Sequence, residues 1–279
     1  PEEENGKKVL CVGSGPASLA CATKLRQAGF SVKIVEQYEK AGGVLTYGIT
    51  PTRLPQEVVD YDIKHVEDLG VEFEFNKKLS KDEIIQLADE YDAIFVGVGL
   101  WDSQIPNIPG KESEGVISAL EFLKKVRENQ GNVELPEEII VIGGGDVAID
   151  CATTCKQLGK NVSIVYRRTI EEAPANKAEI EFLFSLGIPV HTRFAPKEII
   201  AENGKVTFVE FDSMQTKSTM KMQADMVVFA VGQKLENELD TFENDKIFVA
   251  GDAANKGATV VQAVKEGKEA AEAIISKVK

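Results

Sequence analysis

Two stretches of the chain repeat the same order of apolar and polar positions. Residues 9–37 read VLCVGSGPASLACATKLRQAGFSVKIVEQ, and residues 138–168 read EIIVIGGGDVAIDCATTCKQLGKNVSIVYRR. In each, an apolar run typical of a buried parallel strand leads through glycines into a helical segment and then into a second apolar run. This order predicts two βαβ units, each with a glycine-rich turn between its first strand and its helix.

The rest of the chain predicts elements that complete two sheets. Around the first unit we expect helices over 56–69 and 81–89, strands over 71–75 and 92–98, and a glycine-containing loop at 41–50. Around the second we expect a helix over 118–127, a proline-started helix in EEAPANKAEIEFLFSLG, and a hairpin with an Asn-Gly turn in KEIIAENGKVTFVEFD. We therefore predict an α/β fold of two Rossmann-like dinucleotide-binding domains, the first discontinuous, at residues 1–110 with 235–279 and at residues 111–234.

The glycines of the two turns fit the chemistry of a pyrophosphate. Gly13 and Gly143 let the backbone leave the strand sharply. Gly15 and Gly145 have no Cβ to keep a pyrophosphate from the N-terminus of the helix that follows. The third motif position holds small residues that still allow close packing of helix on strand, Ser18 and Ala148. The alternative is a glycine turn without a ligand, since such turns also arise from ordinary strand-to-helix packing.

The residues at the ends of the second strands assign a cofactor to each turn. Glu36 closes the strand SVKIV, where a carboxylate accepts hydrogen bonds from an adenosine ribose and repels a 2′-phosphate, so this site suits FAD or NAD. Arg167 and Arg168 follow NVSIVY at the matching point, and a guanidinium group suits a ribose 2′-phosphate. The second site therefore suits NADP(H), unless the two arginines are only solvated surface charge.

A segment near the end of the chain favours FAD over NAD at the first site. After the short apolar run KIFVA come Gly251 and Asp252, and then a segment with the period of an amphipathic helix, starting near Ala258. If the strand returns to the first sheet, Asp252 can bind the ribityl chain and the helix N-terminus can face the flavin N1 and O2 edge. NAD needs no such element, although Asp after Gly is also an ordinary turn or helix cap.

These motifs, taken in order, resemble a known family. The runs GSGPASLA, VEQYEKAGGVLTYGITPTRLP, VIGGGDVAIDCA with VYRR and APANKAE, and VAGDAANKGATVVQAVKEGKEAA are similar to the small subunit of glutamate synthase and its relatives. Those relatives include the FAD and NADPH region of dihydropyrimidine dehydrogenase. The resemblance implies FAD at the first turn and NADPH at the second. It also implies that Arg53 lies near the flavin diphosphate, and that Ala230 to Gly232 and Gly251-Asp252 lie between the two cofactors.

Residue chemistry and the resemblance together define one set of candidate cofactor-binding residues. The set is Gly13, Gly15, Pro16, Ala17, Glu36, Gln37, Gly43, Val44, Arg53, Leu79, Gly99, Gly143, Gly145, Asp146, Val147, Arg167, Arg168, Ala230, Gly232, Gly251, Asp252, Thr259 and Val260. No catalytic side chain is expected, because the chemistry of hydride transfer belongs to nicotinamide and flavin.

The cysteines and histidines offer little material for metal or redox chemistry. Cys11 falls in a predicted strand and Cys21 in a predicted helix, while Cys151 and Cys155 have the spacing of helix packing residues. No C-x-x-C occurs and the two histidines stand apart, so we expect no metal site. The missing dithiol also argues against a disulfide reductase of similar architecture.

Members of the resembled family usually carry an N-terminal domain whose cysteines hold iron-sulfur clusters. This chain opens with PEEENGKKV, a polar lead into the first strand, so we expect no such domain in it. An iron-sulfur or ferredoxin-like electron-transfer partner is one candidate acceptor, and the missing domain does not decide between a partner and an enzyme that works alone. An acidic partner would need a local basic patch, for which Lys77-Lys78 and Lys124-Lys125 with Arg127 are candidates.

The composition agrees with a cytoplasmic enzyme. The chain has 279 residues, 43% of them hydrophobic, and a formal net charge of −13, which disfavours nucleic acid and anionic membrane surfaces as partners. Few cysteines and the lack of a signal-peptide pattern favour a reducing compartment. No apolar run approaches the roughly 18 residues of a membrane-spanning helix.

The sequence therefore predicts a flavoprotein oxidoreductase. It would transfer hydride between NADPH and FAD and pass electrons to an acceptor or to a partner protein, or work alone as a diaphorase or oxidase. The alternative is an electron-entry module of a larger iron-sulfur complex, which would not act alone on the final substrate.

Overall fold

The computed structural model of the chain describes residues 2–235, 238–257 and 259–278. The chain divides into two compact units. The first contains Pro1–Asp102 and Lys234–Lys279, and the second contains Ser103–Gln233. The first unit is therefore discontinuous in sequence, and which cofactor each unit binds remains a prediction.

The first part of the chain alternates strands and helices up to the first crossing between units. Its elements are β1 (Lys8–Val12), α1 (Pro16–Gln27), β2 (Ser31–Val35), α2 (Val44–Tyr47), α3 (Gln56–Asp68), β3 (Glu72–Glu74), α4 (Lys81–Leu87), β4 (Ala93–Val96) and β5 (Asp102–Ser103). A side-chain cap defines the start of α4. Ser80 accepts a hydrogen bond from the Glu83 N–H, and the Glu83 carboxylate accepts one from the Ser80 N–H, which together form a capping box at α4.

The second unit follows without interruption, and the chain then returns to the first. The second unit contains β6 (Val116–Ser118), α5 (Ala119–Glu128), β7 (Glu138–Ile142), α6 (Asp146–Gln157), β8 (Asn161–Tyr166), a 3₁₀ turn (Ile170–Glu172), α7 (Lys177–Ser185), β9 (Val190–Thr192), β10 (Phe194–Glu202), β11 (Lys205–Ser213), β12 (Thr219–Gln223), β13 (Met226–Phe229) and the start of β14 (Gln233–Lys234). The return segment contains β15 (Ile247–Val249), α8 (Asp252–Asn255) and α9 (Val260–Val278).

The sheet of the first unit is parallel, with strand order β15-β4-β1-β2-β3. Alternate residues of the central strand β1 face two different cores, as the period of a strand requires. Val9 and Cys11 pack under α1, α3 and α9, while Leu10 and Val12 pack on the α4 side. Helices therefore cover both faces, which explains why the strand reads as a continuous apolar run.

The sheet of the second unit repeats this layout with order β6-β13-β7-β8-β9 and is also parallel. Ile139 and Val141 of β7 pack against α5, α6 and α7. Ile140 and Ile142 pack instead against the antiparallel sheet β10-β11-β12. The predicted hairpin is confirmed: β10 and β11 are joined by Asn203 and Gly204, which have φ of +52° and +79°.

Two details differ from the sequence-based expectations. The helix in EEAPANKAEIEFLFSLG is not started by proline: it begins at Lys177, and Asn176 caps it by accepting a hydrogen bond from the Ala178 N–H at 3.0 Å. The expected loop at 41–50 contains the short helix α2. The last helix begins at Val260, and the expected start at Ala258 lies outside the described residues. Across residues 2–235, 238–257 and 259–278, no helix combines the length and the apolarity that crossing a bilayer demands.

Candidate dinucleotide sites

The first glycine turn is shaped by the strand beside it. The Gly13 N–H donates to the Val35 carbonyl at 2.8 Å, and its φ of +88° belongs to the left-handed region. A Cβ at Gly13 would lie 2.8 Å from the Gly97 carbonyl oxygen, at the end of β4. Gly13 is therefore required by the fold itself, because both its backbone angle and its neighbour exclude a side chain.

The second turn has the same construction. The Gly143 N–H donates to the Val165 carbonyl at 3.1 Å, and Gly143 has a φ of +153°. A Cβ there would overlap the carbonyl oxygen of Ala230, the first residue after β13. The predicted AVG segment, residues 230–232, thus begins beside the second glycine turn, and Gly232 follows with a φ of +114°.

The second glycine of each motif, Gly15 or Gly145, is different, because the protein leaves the space around its missing Cβ almost empty. Gly15 has φ of −70° and ψ of 178°, and a Cβ there would have only the Gly97 carbonyl within 4 Å, at 3.9 Å. Gly145 has φ of −96° and ψ of 175°, and its Cβ would have only Pro174 Cγ within 4 Å, at 3.8 Å. The backbone and the packing would accept alanine at both positions. A ligand that occupies this space explains the glycines better than the fold does.

The helices that follow these glycines present their N-termini to the same space. Gly15 and Gly145 are the N-cap residues of α1 and α6, and neither helix has a side-chain cap hydrogen bond. Pro16 is the first residue of α1 and lacks an N–H, so the Ala17 and Ser18 amides remain for a ligand. Uncapped helix N-termini beside an open cradle fit the pyrophosphates of FAD and NADP(H).

Glu36 is held in place at the end of β2. Its carboxylate accepts hydrogen bonds from the Ser14 N–H at 3.0 Å, the Ser14 hydroxyl at 2.5 Å and the Tyr38 N–H at 2.9 Å, and the residue is only 4% exposed. An ionised carboxylate accepts about four hydrogen bonds. The described residues supply three of these, which leaves capacity for a ribose hydroxyl. Gln37, the next residue, is half-buried.

The loop at 41–50 lies against the first glycine turn. The Gly42 N–H donates to the Ser14 carbonyl at 3.1 Å. Gly43 has a φ of +54°, and a Cβ on it would lie 2.8 Å from Gly15 Cα. Val44 then begins α2. This close approach of two backbones requires glycine at position 43 and places the loop beside the predicted diphosphate site.

The return segment reaches the first glycine turn, as the sequence predicted. β15 pairs with β4 in parallel, through the register Ile247↔Ile94. Gly251 follows with a φ of +74°, and a Cβ on it would lie 3.0 Å from the Ala17 Cβ. On α9, a Cβ at Gly267 would overlap the Ala17 carbonyl oxygen. Two glycines thus let this segment approach the start of α1.

Glu266 of α9 restrains the short helix α8, which begins at Asp252. Its carboxylate accepts hydrogen bonds from the Gly251 N–H at 2.8 Å, the Asn255 side-chain amide at 3.0 Å and the Gln262 side-chain amide at 2.8 Å. Burial alone would raise the pKa of Glu266, but these three hydrogen bonds outweigh it and lower the pKa below the usual glutamate value. The restraint of α8 by the Glu266 carboxylate is therefore complete above the ordinary glutamate pKa. It is lost as the pH falls through the lowered pKa of Glu266.

The remaining predicted residues of the first unit have varied settings. Thr259 begins α9 as a cap, since its hydroxyl accepts a hydrogen bond from the Gln262 N–H at 3.2 Å, and Val260 is the first helical residue. Arg53 is exposed, whereas Leu79 is buried in the core on the α4 side. Gly99 has a φ of +69°.

In the second unit, Arg167 and Arg168 are exposed directly after β8. Asp146, the first residue of α6, accepts a hydrogen bond from the Asn176 N–H at 2.9 Å and so fixes the residue that caps α7. Val147 follows Asp146 on α6 and is half-buried. The paired arginines thus lie at the carboxyl end of β8, where the 2′-phosphate is predicted.

The four cysteines are buried free thiols. Burial raises the pKa of the Cys155 thiol to about 12 and raises the pKa values of the Cys21 and Cys151 thiols above the usual range. Cys151 and Cys155 are residues of α6 and pack in the core beneath it, which confirms their predicted packing role. Within the described ranges, the histidines, cysteines and acidic residues form no group of three or more that could hold a metal ion.

One expected basic patch is wrong in part. Arg127 is only 8% exposed, so it cannot belong to a surface patch with Lys124 and Lys125. Lys124 lies 3.8 Å from the Glu128 carboxylate, and Lys77 lies 3.0 Å from the Glu74 carboxylate. These pairings reduce the positive charge that either cluster offers a partner.

Sequence reasoning missed two residues of the first site. Ser14 occupies the free position of the glycine motif, and its role as a donor to Glu36 follows from no spacing rule. Glu266 lies on a face of α9 that reads as an ordinary charged helix surface. Only Ser14 could have been noticed in the sequence, because it places a polar hydroxyl between two motif glycines, at a position that is buried.

Comparison with known proteins finds one matching family and several relatives. Residues 7–267 match the family described as pyridine nucleotide-disulphide oxidoreductase. The NAD-dependent dihydropyrimidine dehydrogenase subunit PreT of Escherichia coli (strain K12) is 37% identical over 284 residues, which cover 96% of this chain and 67% of that protein. The glutamate synthase (NADPH) small chain of the same strain is 30% identical over 326 residues, which cover 98% and 69%.

Solved structures share the fold. FprA from Mycobacterium tuberculosis in complex with NADPH has a TM-score of 0.79 and 17% sequence identity, covering 98% of this chain and 84% of that one. Thioredoxin reductase from T. acidophilum has a TM-score of 0.75 and 18% identity, covering 97% and 99%. At such identities the likeness concerns the fold, and it confirms the predicted class of two Rossmann-like domains.

Proposed function

The chain belongs to the pyridine nucleotide-disulphide oxidoreductase family and is an oxidoreductase with FAD and NADP(H) as its cofactors, and on this premise we propose that it takes electrons from NADPH and delivers them to a partner protein. One observation carries the proposal: the open cradles at Gly15 and Gly145 lie before two uncapped helix N-termini. A chain with two such cradles suits two dinucleotides.

The residues divide the binding work between the units. In the first unit, Gly15 and the start of α1 would hold the FAD pyrophosphate, and Glu36 would accept a ribose hydroxyl. Asp252, at the start of the helix α8 that Glu266 restrains, would hold the ribityl chain. In the second unit, Gly145 and the start of α6 would hold the NADPH pyrophosphate. The bound cofactors supply the redox chemistry, which is hydride transfer from nicotinamide C4 to flavin N5.

The preference for NADPH rests on Arg167 and Arg168. The names of the relatives do not decide it, because PreT is called NAD-dependent and the glutamate synthase small chain carries NADPH in its name. Two exposed guanidinium groups at the end of β8 stand on a chain whose net charge is −13. Positive charge at this point, where the first unit has Glu36, favours a 2′-phosphate.

A disulfide substrate is not part of the proposal, although the family description names one. The sequence contains no C-x-x-C, and all four cysteines are buried thiols. For Cys21, Cys151 and Cys155 the pKa is raised, so they lack the thiolate that disulfide exchange needs. Electrons would therefore leave the chain through an acceptor that docks near the flavin.

The acceptor is proposed to be a separate protein with iron-sulfur clusters. PreT is named as a subunit and the glutamate synthase protein as a small chain, so both relatives work within larger assemblies. The described residues of this chain hold no group that could bind a metal ion. We place this work in the cytoplasm, where buried free thiols remain reduced.

The test of this proposal compares acceptors. The chain loaded with FAD and supplied with NADPH should reduce an artificial dye rapidly and oxygen poorly. It should neither form glutamate from 2-oxoglutarate and glutamine nor reduce uracil. The Gly145→Ala variant is the matched control, because it should keep FAD and lose the NADPH-driven dye reduction. Glutamate or reduced uracil formed without an added partner protein would contradict the role of an electron-entry module. Fast oxygen consumption would favour an independent oxidase.

A further inference from the structure

A third arginine lies beside the paired arginines of the second unit. Strands β8 and β9 pair in parallel with the register Tyr166↔Thr192, so Arg167 and Arg193 each stand one residue beyond the paired ends. The Arg193 N–H donates to the Arg168 carbonyl at 3.1 Å. The carboxyl ends of parallel strands meet at one edge of the sheet, where ligands bind in open α/β folds. Register and hydrogen bond together bring Arg193 to the predicted 2′-phosphate site.

The backbone of Arg193 is held in an unfavourable conformation. Its φ is +65°, in the left-handed region that glycine and asparagine adopt far more easily than arginine. Hydrogen bonds hold it there from both sides, since the Arg193 carbonyl also accepts one from the Met214 N–H at 2.8 Å. Strained residues that the surroundings hold firmly occur preferentially at functional sites. A turn alone would be better served by glycine.

Glu172 follows the pair in the 3₁₀ turn, and its pKa is lowered first by the hydrogen bond from the Thr169 N–H, then by the Thr169 hydroxyl, and then by the positive charges of Arg168 and Arg193. Arg193 itself is half-buried, whereas Arg167 and Arg168 are exposed, so it is the more restrained of the three.

We propose that Arg193 is a specificity-determining residue that binds the ribose 2′-phosphate of NADPH together with Arg167 and Arg168. This rests on the proposed function, in which the paired arginines bind that phosphate. A phosphate monoester carries close to two negative charges at neutral pH and offers three oxygens as acceptors. Two arginines already match that charge, and a third on the neighbouring strand adds hydrogen-bond donors for the remaining phosphate oxygen. NADH has no group for Arg193 to bind.

The test separates the side chain from the backbone turn. Arg193→Gly removes the charge and relieves the left-handed strain, so the variant should unfold at the same temperature as wild type or higher. Arg193→Lys keeps a charge. Asn203→Gly is the matched control, because Asn203 also has a positive φ, +52°, but lies in the β10–β11 turn. The readouts are the ratio of kcat/KM for NADPH to that for NADH, and calorimetric binding of adenosine 2′,5′-bisphosphate compared with 5′-AMP.

For Arg193→Gly we expect the NADPH to NADH ratio to fall at least about 10-fold, the loss of one hydrogen bond to a charged group. The preference for adenosine 2′,5′-bisphosphate over 5′-AMP should fall in parallel, Arg193→Lys should lose less, and Asn203→Gly should match wild type. An unchanged ratio in Arg193→Gly, while Arg167→Ala/Arg168→Ala loses it, would overturn this inference and leave the proposed function standing. An equal loss for both nucleotides would also overturn it. A wild type without any preference for the 2′-phosphate would overturn both.

Discussion

Gly15→Ala is expected to leave the folded protein stable and to remove FAD from it. The backbone at Gly15 is extended, and a Cβ would have only the Gly97 carbonyl within 4 Å, at 3.9 Å, so the apoprotein accepts alanine without strain. Its unfolding free energy should stay the same or rise by up to about 1 kcal/mol. The added methyl fills the pyrophosphate cradle, and overpacking of about 1–3 kcal/mol weakens FAD binding roughly 5- to 150-fold. FAD titration of the apoprotein and its thermal unfolding measure the two effects.

Two other glycines serve as controls for this prediction. Gly145→Ala should fold normally, because a Cβ there also meets nothing closer than 3.8 Å in the protein. It should retain FAD and lose NADPH, because the added methyl fills the cradle of the second unit. Gly13→Ala should instead destabilise the fold, because its φ is +88° and its Cβ would lie 2.8 Å from the Gly97 carbonyl. If Gly15→Ala bound FAD as tightly as wild type, the cradle at α1 would not be the pyrophosphate site.

Arg167→Ala/Arg168→Ala is expected to abolish the preference for NADPH. We propose that each arginine, directly after β8, donates a charge-assisted hydrogen bond to the 2′-phosphate. Such a bond contributes on the order of 1.5 to 3 kcal/mol. Losing one should lower kcat/KM for NADPH roughly 10- to 150-fold, and losing both should lower it further. The value for NADH should stay nearly unchanged, because NADH lacks the phosphate. Steady-state dye reduction with each nucleotide measures both values.

Lys156→Ala is the matched control for the arginine variants. Lys156 is an exposed cation of the same unit, in the last turn of α6 and far from the helix N-terminus that faces the cradle. Its removal should leave the ratio of the two kcat/KM values as in wild type. Equal use of both nucleotides by the wild type, or an unchanged ratio in the double variant, would show that the arginines are ordinary surface charge.

The parts of the fold that follow from local chemistry were predictable from the sequence. The strands β1 and β7 read as apolar runs because helices or a second sheet cover both their faces. The hairpin turn at Asn203-Gly204 followed from residues that adopt a positive φ easily. The helix at 177–185 shows the limit, because Pro174 and Asn176 both suit a helix start and only the fold decides between them.

The site divides in the same way. The motif glycines, Glu36 and the arginine pair were predicted from spacing, because each stands at a fixed distance from a strand end. Glu266 and Arg193 were not, because each acts on residues far from it in the chain. Arg193 can be proposed for this site only once β9 is known to pair with β8. The sequence does not show this pairing, because β9 is a three-residue strand with little apolar pattern. The predicted basic patch failed at Arg127 because this charged residue of an amphipathic helix is buried.

The most direct test of the central claim is an anaerobic titration of the purified, FAD-loaded chain with NADPH, followed by the visible absorbance of the flavin. We predict about one FAD per chain, bleached by about one equivalent of NADPH and far more slowly by NADH, because hydride transfer consumes one nucleotide per flavin. The spectrum should show flavin alone, without the broad bands of an iron-sulfur cluster. A chain that does not take up FAD, or whose bound FAD stays yellow when NADPH is added, would contradict it.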